Sequence, residues 1–175
     1  MNVAFISGVF FPKAGGVQVQ VHNIANKLSK LGISVKLFIY NKTNIKNNNY
    51  DIFVLNKFVF NLVYFFKYFL NIDLFFLLVP YVTKLIKKHK IDIWHFNLLN
   101  FKSLILINVL KNLDKKVVVT FHGIDLQIDR KINYGYRLNK KYDILLKNTL
   151  KRIDLFTYLS KTIQKDLIEL GVQDD

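Results

Sequence analysis

Residues 2–40 read NVAFISGVFFPKAGGVQVQVHNIANKLSKLGISVKLFIY, and the order of elements in this stretch decides the fold. Asn2 to Ser7 is a short apolar run that fits a buried strand. Gly8 to Gly16 is a loop carrying a proline and paired glycines. From Val17 to Leu31 the apolar residues Val17, Val21, Ile24, Ala25, Leu28 and Leu31 fall on one side of a helix, and Gly32 stands where a C-cap is expected. Ser34 to Tyr40 is a second strand. A strand, a crossover helix and a second strand in this order predict a parallel pair.

The alternation continues outward from there. Asn41 to Asn49 is polar and ends the first unit. Asp51 to Leu55 is a weaker strand. Residues 58–70 and 74–89 read as helices, Ile91 to Phe96 as a strand and 101–111 as a helix. Lys116 to Phe121 (KVVVTF) is the clearest buried strand. A loop from His122 to Asn133, a helix from Tyr136 to Arg152, a strand from Asp154 to Leu159 and a helix from Lys161 to Leu170 complete the chain. The expected class is α/β: a Rossmann-like, doubly wound, mostly parallel sheet with helices on both faces. One domain, 1–175, accounts for all of it.

Composition sets limits. Hydrophobic residues make up 51% of the 175, enough for one core. There is no cysteine, so disulfides and thiolate metal sites are excluded. The four histidines, His22, His89, His95 and His122, lack metal-ligand spacing, and no metal or other cofactor is expected. Lys and Arg number 26 against 12 Asp and Glu, a net charge of +14. That excess suits anionic partners: nucleic acid, anionic lipid or phosphorylated substrates. No nucleic-acid-binding pattern is present and the basic residues are dispersed, so nucleic acid is not an expected partner. The chain enters its first strand without a basic and then apolar leader, which reads as cytoplasmic.

Phe58 to Val82 (FVFNLVYFFKYFLNIDLFFLLVPYV) is nearly long enough to cross a bilayer. A spanning helix needs about 20 mostly apolar residues. Lys67 and Asp73 interrupt the run at roughly 2.5–3.5 kcal/mol each on insertion scales. Two packed or interfacial helices joined around Asn71 to Asp73 are expected instead.

Ligands in such sheets bind at the carboxyl ends of the strands. Three loops there carry unusual residues. Gly15 and Gly16 directly precede a helix, so main-chain amides there could approach a phosphate. The loop has neither the dinucleotide fingerprint nor the P-loop pattern. His95 and Asn97 end the IDIWHFN segment, where a histidine beside Trp94 is equally compatible with a structural role. His122 ends the most buried strand, Gly123 allows a sharp exit, and Asp125 stands close enough to orient the imidazole or contact a ligand. An imidazole so placed can donate to a substrate hydroxyl or stabilise developing charge. No Ser-His-Asp set and no carboxylate pair is recognisable.

In order, FFPKAGGVQVQVHNIANKLSKLGISVKLF, DIWHFN, VVVTFHGID and RIDLFTYLSKTIQKDLIELGV resemble four landmarks of the family-four, GT-B-fold retaining glycosyltransferases. The resemblance covers nearly the whole chain and is to their N-terminal, acceptor-side domain. It implies that Gly15 and Gly16 contact the donor diphosphate and that His122 contacts the transferred sugar as the catalytic residue. It also implies that His95, Asn97, Gly123 and Asp125 lie on the acceptor side. Relatives carry a second histidine where Asn97 stands. The implied function is retaining transfer from a nucleotide sugar to a glycan or lipid-linked acceptor in bacterial-type cell-surface polysaccharide, lipopolysaccharide or glycolipid synthesis. The implied partner is a C-terminal donor domain, in cis or in trans, without which this chain is expected to be inactive. The alternative is a non-catalytic, membrane-associated binding module or a partner subunit of a split enzyme. Relatives work at membranes, which gives Phe65, Phe66, Lys67, Phe69, Phe75, Phe76, Lys84, Lys87 and Lys88 a candidate role as a surface for anionic lipid at the inner face of the cell membrane.

Overall fold

The computed structural model describes residues 1–8, 10, 15–43 and 49–172. The proline of the first loop, the middle of the 41–49 stretch and the last three residues lie outside the described residues.

Six strands, β1 (Asn2–Ser7), β2 (Ser34–Ile39), β3 (Asp51–Val54), β4 (Ile93–Asn97), β5 (Lys116–Phe121) and β6 (Leu155–Tyr158), form one sheet. Its order is β3-β2-β1-β4-β5-β6, and every pairing is parallel. This is the order of a doubly wound fold, with the winding direction reversing between β1 and β4. The six helices are α1 (Gly16–Lys30), α2 (Lys57–Phe65), α3 (Val79–His89), α4 (Phe101–Asn112), α5 (Lys140–Leu150) and α6 (Lys161–Glu169).

Helices cover both faces, unequally. Val21 and Ala25 of α1 pack with Val3, Phe5, Val35, Leu37 and Ile39 on one face. The other face carries Ala4, Ile6, Phe38, Trp94, Phe96, Val117, Val119 and Phe121, and buried residues from α2 to α6 cover it. Right-handed crossovers require this division: β1 to β2 runs one way along the sheet, β4 to β5 to β6 the other. Over β6 the α1 side stays open, with Leu155 55% exposed. α4 lies innermost, with eight consecutive buried residues from Ser103 to Leu110.

Two expected helices are modified. The one expected over 58–70 is α2 followed by a wider, π-type turn over Phe66–Leu70, closed by Asn71 in the left-handed region at φ 56°. The one expected over Tyr136 to Arg152 is a single tight turn (Tyr136–Leu138) and then α5, because the Asn139 side chain accepts from the amides of Lys141 and Tyr142 and starts a new helix. Among the described residues no helix is long and apolar enough to cross a membrane.

Candidate functional site at the carboxyl edge of the sheet

The strand register places four polar side chains in one row near the carboxyl edge. Ser7 pairs with Asn97, Asn97 with Thr120, and Thr120 with Thr157, across β1, β4, β5 and β6. The row therefore spans the winding reversal between β1 and β4, where a cleft forms outside the strand ends. Ser7 and Asn97 are 1% exposed and Thr120 is 6% exposed. Such burial is costly unless the groups find partners. Thr120 Oγ1 finds two: His95 Nε2 at 2.7 Å and Thr157 Oγ1 at 2.6 Å.

His95 sits one pleat below the row, on the same face as Asn97. Its ring meets Phe5 edge-on at 4.8 Å between centroids. Burial, with a smaller contribution from the nearby His122, pushes its pKa down to about 4. It is therefore a neutral imidazole held by Thr120. His122 follows one pleat above Thr120, and burial lowers its pKa as well. Its Nε2 is buried without a hydrogen-bond partner, as is Nδ2 of Asn97. An unmade hydrogen bond at a buried polar atom costs about 1–3 kcal/mol. Two such atoms at the edge of one cleft are a feature that packing does not explain.

Asp125, read from the sequence as orienting the imidazole or touching ligand, is fully buried with its oxygens turned to the main chain. Oδ1 accepts from the amide of His122 at 3.1 Å and Oδ2 from the amide of Leu99 at 3.0 Å. Burial raises its pKa to about 6 against the lowering effect of these amides. It fixes the His122 main chain and does not face the cleft. The hydroxyl of Tyr142, from α5, donates to the carbonyls of Leu99 and Asp125 and closes the same loop. Gly123 has φ +105°, and a Cβ there would meet Gln127 Oε1 at 2.9 Å, so the sharp exit from β5 requires glycine.

Gly15 and Gly16 are exposed at the start of α1. No side chain caps this helix and its first turn has no acidic residue, so its leading amides present an open, partly positive end. Gly15 is extended at φ −166°, and a Cβ on Gly16 would meet nothing within 4 Å. The fold itself does not demand glycine at position 16. Among the described residues no three His, Cys, Asp or Glu side chains gather as a metal site.

The expected lipid-facing residues divide. Phe58, Phe65, Phe69 and Phe76 are 75%, 49%, 58% and 64% exposed. Phe66 and Phe75 are half-buried, and Phe75 packs against the core. Lys67 is paired with Asp73 at 2.9 Å. Lys84, Lys87 and Lys88 stand exposed on α3, around a separate shallow depression with Val79, Pro80 and Thr83.

Sequence reasoning missed Ser7, Thr120 and Thr157. The signal was available for one of them: Thr120 lies two residues before His122 and so shares its face of the strand.

Comparison with known proteins extends this picture. The described architecture is similar to sucrose-phosphate synthase from Thermosynechococcus elongatus, with TM-score 0.63 and 14% identity over 96% of this chain and 44% of that one. It is also similar to UDP-GlcNAc 2-epimerase from Methanocaldococcus jannaschii, with TM-score 0.59 and 14% identity over 99% of this chain and 43% of that one. A third is α,α-trehalose 6-phosphate synthase from Burkholderia multivorans, with TM-score 0.54 and 12% identity over 96% of this chain and 41% of that one. The chain spans less than half the length of each of these. A search of curated protein sequences finds no match. The family described as Glycosyltransferase Family 4 matches residues 14–175, which include the paired glycines, the polar row from Asn97 to Thr157 and His122. The fold is the N-terminal half of a GT-B fold, and the chain belongs to Glycosyltransferase Family 4.

Proposed function

We propose that the chain is the acceptor-side half of a retaining glycosyltransferase. It would act with a nucleotide-sugar-binding domain, in cis or in trans, to glycosylate a glycan or lipid-linked acceptor of a cell-surface polysaccharide, lipopolysaccharide or glycolipid. The observation that carries this reading is His122. It is an imidazole kept neutral by burial at a strand's carboxyl end, with its main chain pinned by Asp125 and its Nε2 lacking a partner. A neutral ring so fixed can position a sugar hydroxyl without taking up charge.

In the proposed reaction negative charge accumulates on the departing diphosphate. The open amino end of α1 at Gly15–Gly16 supplies main-chain donors for it, and preorganised donors of this kind do most of the work of such a transfer. His122 positions the sugar and is not a nucleophile. The polar row from Ser7 to Thr157 forms the floor beneath the acceptor. The test is to replace His122 by alanine in the two-domain enzyme and measure nucleotide release.

A lipid-linked acceptor would bring the protein to the inner face of the cell membrane as a peripheral protein. The exposed stripe Phe58, Leu62, Phe65 and Phe69 supports this, since these positions share one side of α2 and its extension, opposite the buried Phe60 and Val63. The net charge of +14 favours an anionic surface.

A further inference from the structure

An open groove of about 540 Å³ lies beside the Gly8 end of β1, between α2 and the first turn of α4. Two lysines line it. Lys57 Nζ donates to Asn41 Oδ1 at 2.7 Å, and Lys102 Nζ donates to Asn61 Oδ1. Lys102 Nζ also lies 5.6 Å from the ring centroids of both Tyr40 and Tyr64. The partners of both ammonium groups are thus neutral amides and aromatic faces. Among the described residues none of the ion pairs includes either lysine. Burial lowers the pKa of Lys102, and the charge of Lys57 lowers it further, so the two cations are close enough to repel.

The backbone adds to this field. Asn100 caps α4 through its side chain, but that oxygen is taken by the amide of Ser103. The amides of Phe101 and Lys102 are left at the positive end of the helix, beside the groove. Two cations and a helix N-terminus converge on one depression that holds no carboxylate. An anion is the missing member. The walls limit its class: Tyr64 and Phe101 also line an adjoining groove of about 400 Å³ with Tyr68, Tyr136 and Tyr142. Aromatic faces of this kind suit the apolar faces of sugar rings, with hydroxyl groups at their edges for hydrogen bonds.

We propose that this groove binds the anionic group, a phosphate or a carboxylate, of a carbohydrate acceptor, with Lys57 and Lys102 as its cationic contacts. The sugar ring that carries the group lies along Tyr64 and Phe101. The proposal rests on the glycosyltransferase reading for the word acceptor, but the binding itself needs no donor and no turnover.

The experiment therefore uses this chain alone. Amide resonances are followed by NMR during titration with inorganic phosphate, glucuronate and the neutral methyl glucoside. Phosphate or glucuronate, or both, is expected to shift Lys57, Phe101 and Lys102 selectively, and methyl glucoside not to. The charged probe that binds more tightly identifies a phosphorylated or a uronic-acid acceptor as the source of the anion. Lys102→Met is expected to weaken binding about tenfold, the loss of one charge-assisted contact. Lys57→Met, on an exposed side chain, provides the same readout without risk to folding. Shifts confined to Gly16 and Val17, shifts scattered over all surface lysines, or no shift at all would each overturn the proposal. If these shifts are present while the His122 variant of the two-domain enzyme turns over normally, the anion site stands and the transfer mechanism fails.

Discussion

Asp125 joins the amide of His122 to the amide of Leu99 through its two carboxylate oxygens, at 3.1 and 3.0 Å. One buried side chain thereby ties the loop leaving β5 to the loop leaving β4, and it holds His122 from behind.

Replacing Asp125 by alanine leaves two buried amides without an acceptor, and the cost is expected to be about 2–3 kcal/mol. The measurement is the urea midpoint of unfolding. A midpoint equal to wild type would show that the two amides find other partners.

The glycines separate strain from function. Gly123→Ala places a side chain at φ +105° and against Gln127 and Tyr134, and is expected to cost about 1–3 kcal/mol of stability. Gly16→Ala meets open space in the fold and is expected to leave the melting temperature unchanged while weakening donor binding. Calorimetry on both variants and nucleotide-sugar titration of the two-domain enzyme check the pair. A Gly16→Ala protein that melts early would remove the argument that this glycine serves a ligand.

Acid stability depends on two opposed groups. His95 titrates near 4 in the fold against 6.5 unfolded, so between those values the unfolded chain holds more protons and stability falls as pH drops. Asp125 titrates near 6 against 3.8 unfolded, so over that window its contribution rises as pH drops. The two offset in the wild type. The difference in unfolding free energy between wild type and His95→Gln isolates the first. It is expected to shrink by ~2 kcal/mol between pH 7 and pH 4.5. A constant difference would mean that His95 is not held neutral.

Contact with a membrane is tested by flotation with anionic liposomes at low salt. The wild-type chain is expected to float, and a Phe65→Ser, Phe69→Ser variant to stay in the dense fraction. Both side chains are exposed, so the variant is expected to keep its fold. A wild-type chain that does not float at low salt counts against the lipid-linked acceptor.

Local pattern carried much of the fold. Lys116 to Phe121 begins and ends where its β-branched run does, and the four residues from Val117 to Thr120 are β-branched. The split at Asn139 followed from a cap whose signal was present but outweighed by the apolar periodicity on either side. The site was legible only where a residue sits in a loop at a strand end, as Gly15, Gly16 and His122 do. Asp125 was misjudged because sequence gives no measure of burial, and burial turns a ligand-contacting carboxylate into a main-chain anchor. The row from Ser7 to Thr157 and the pair Lys57–Lys102 depend on strand register and on helix packing between distant segments, which no local pattern encodes.

The most direct test of the central claim is His122→Ala in the two-domain enzyme, with nucleotide release and melting temperature measured on the same preparation. Turnover is expected to fall by about 10²-fold or more, the effect of losing a positioning contact at the reacting sugar. The melting temperature is expected to hold or rise slightly, because a buried atom without a partner is removed. Turnover close to wild type would contradict the role assigned to His122 and to the edge of the sheet around it.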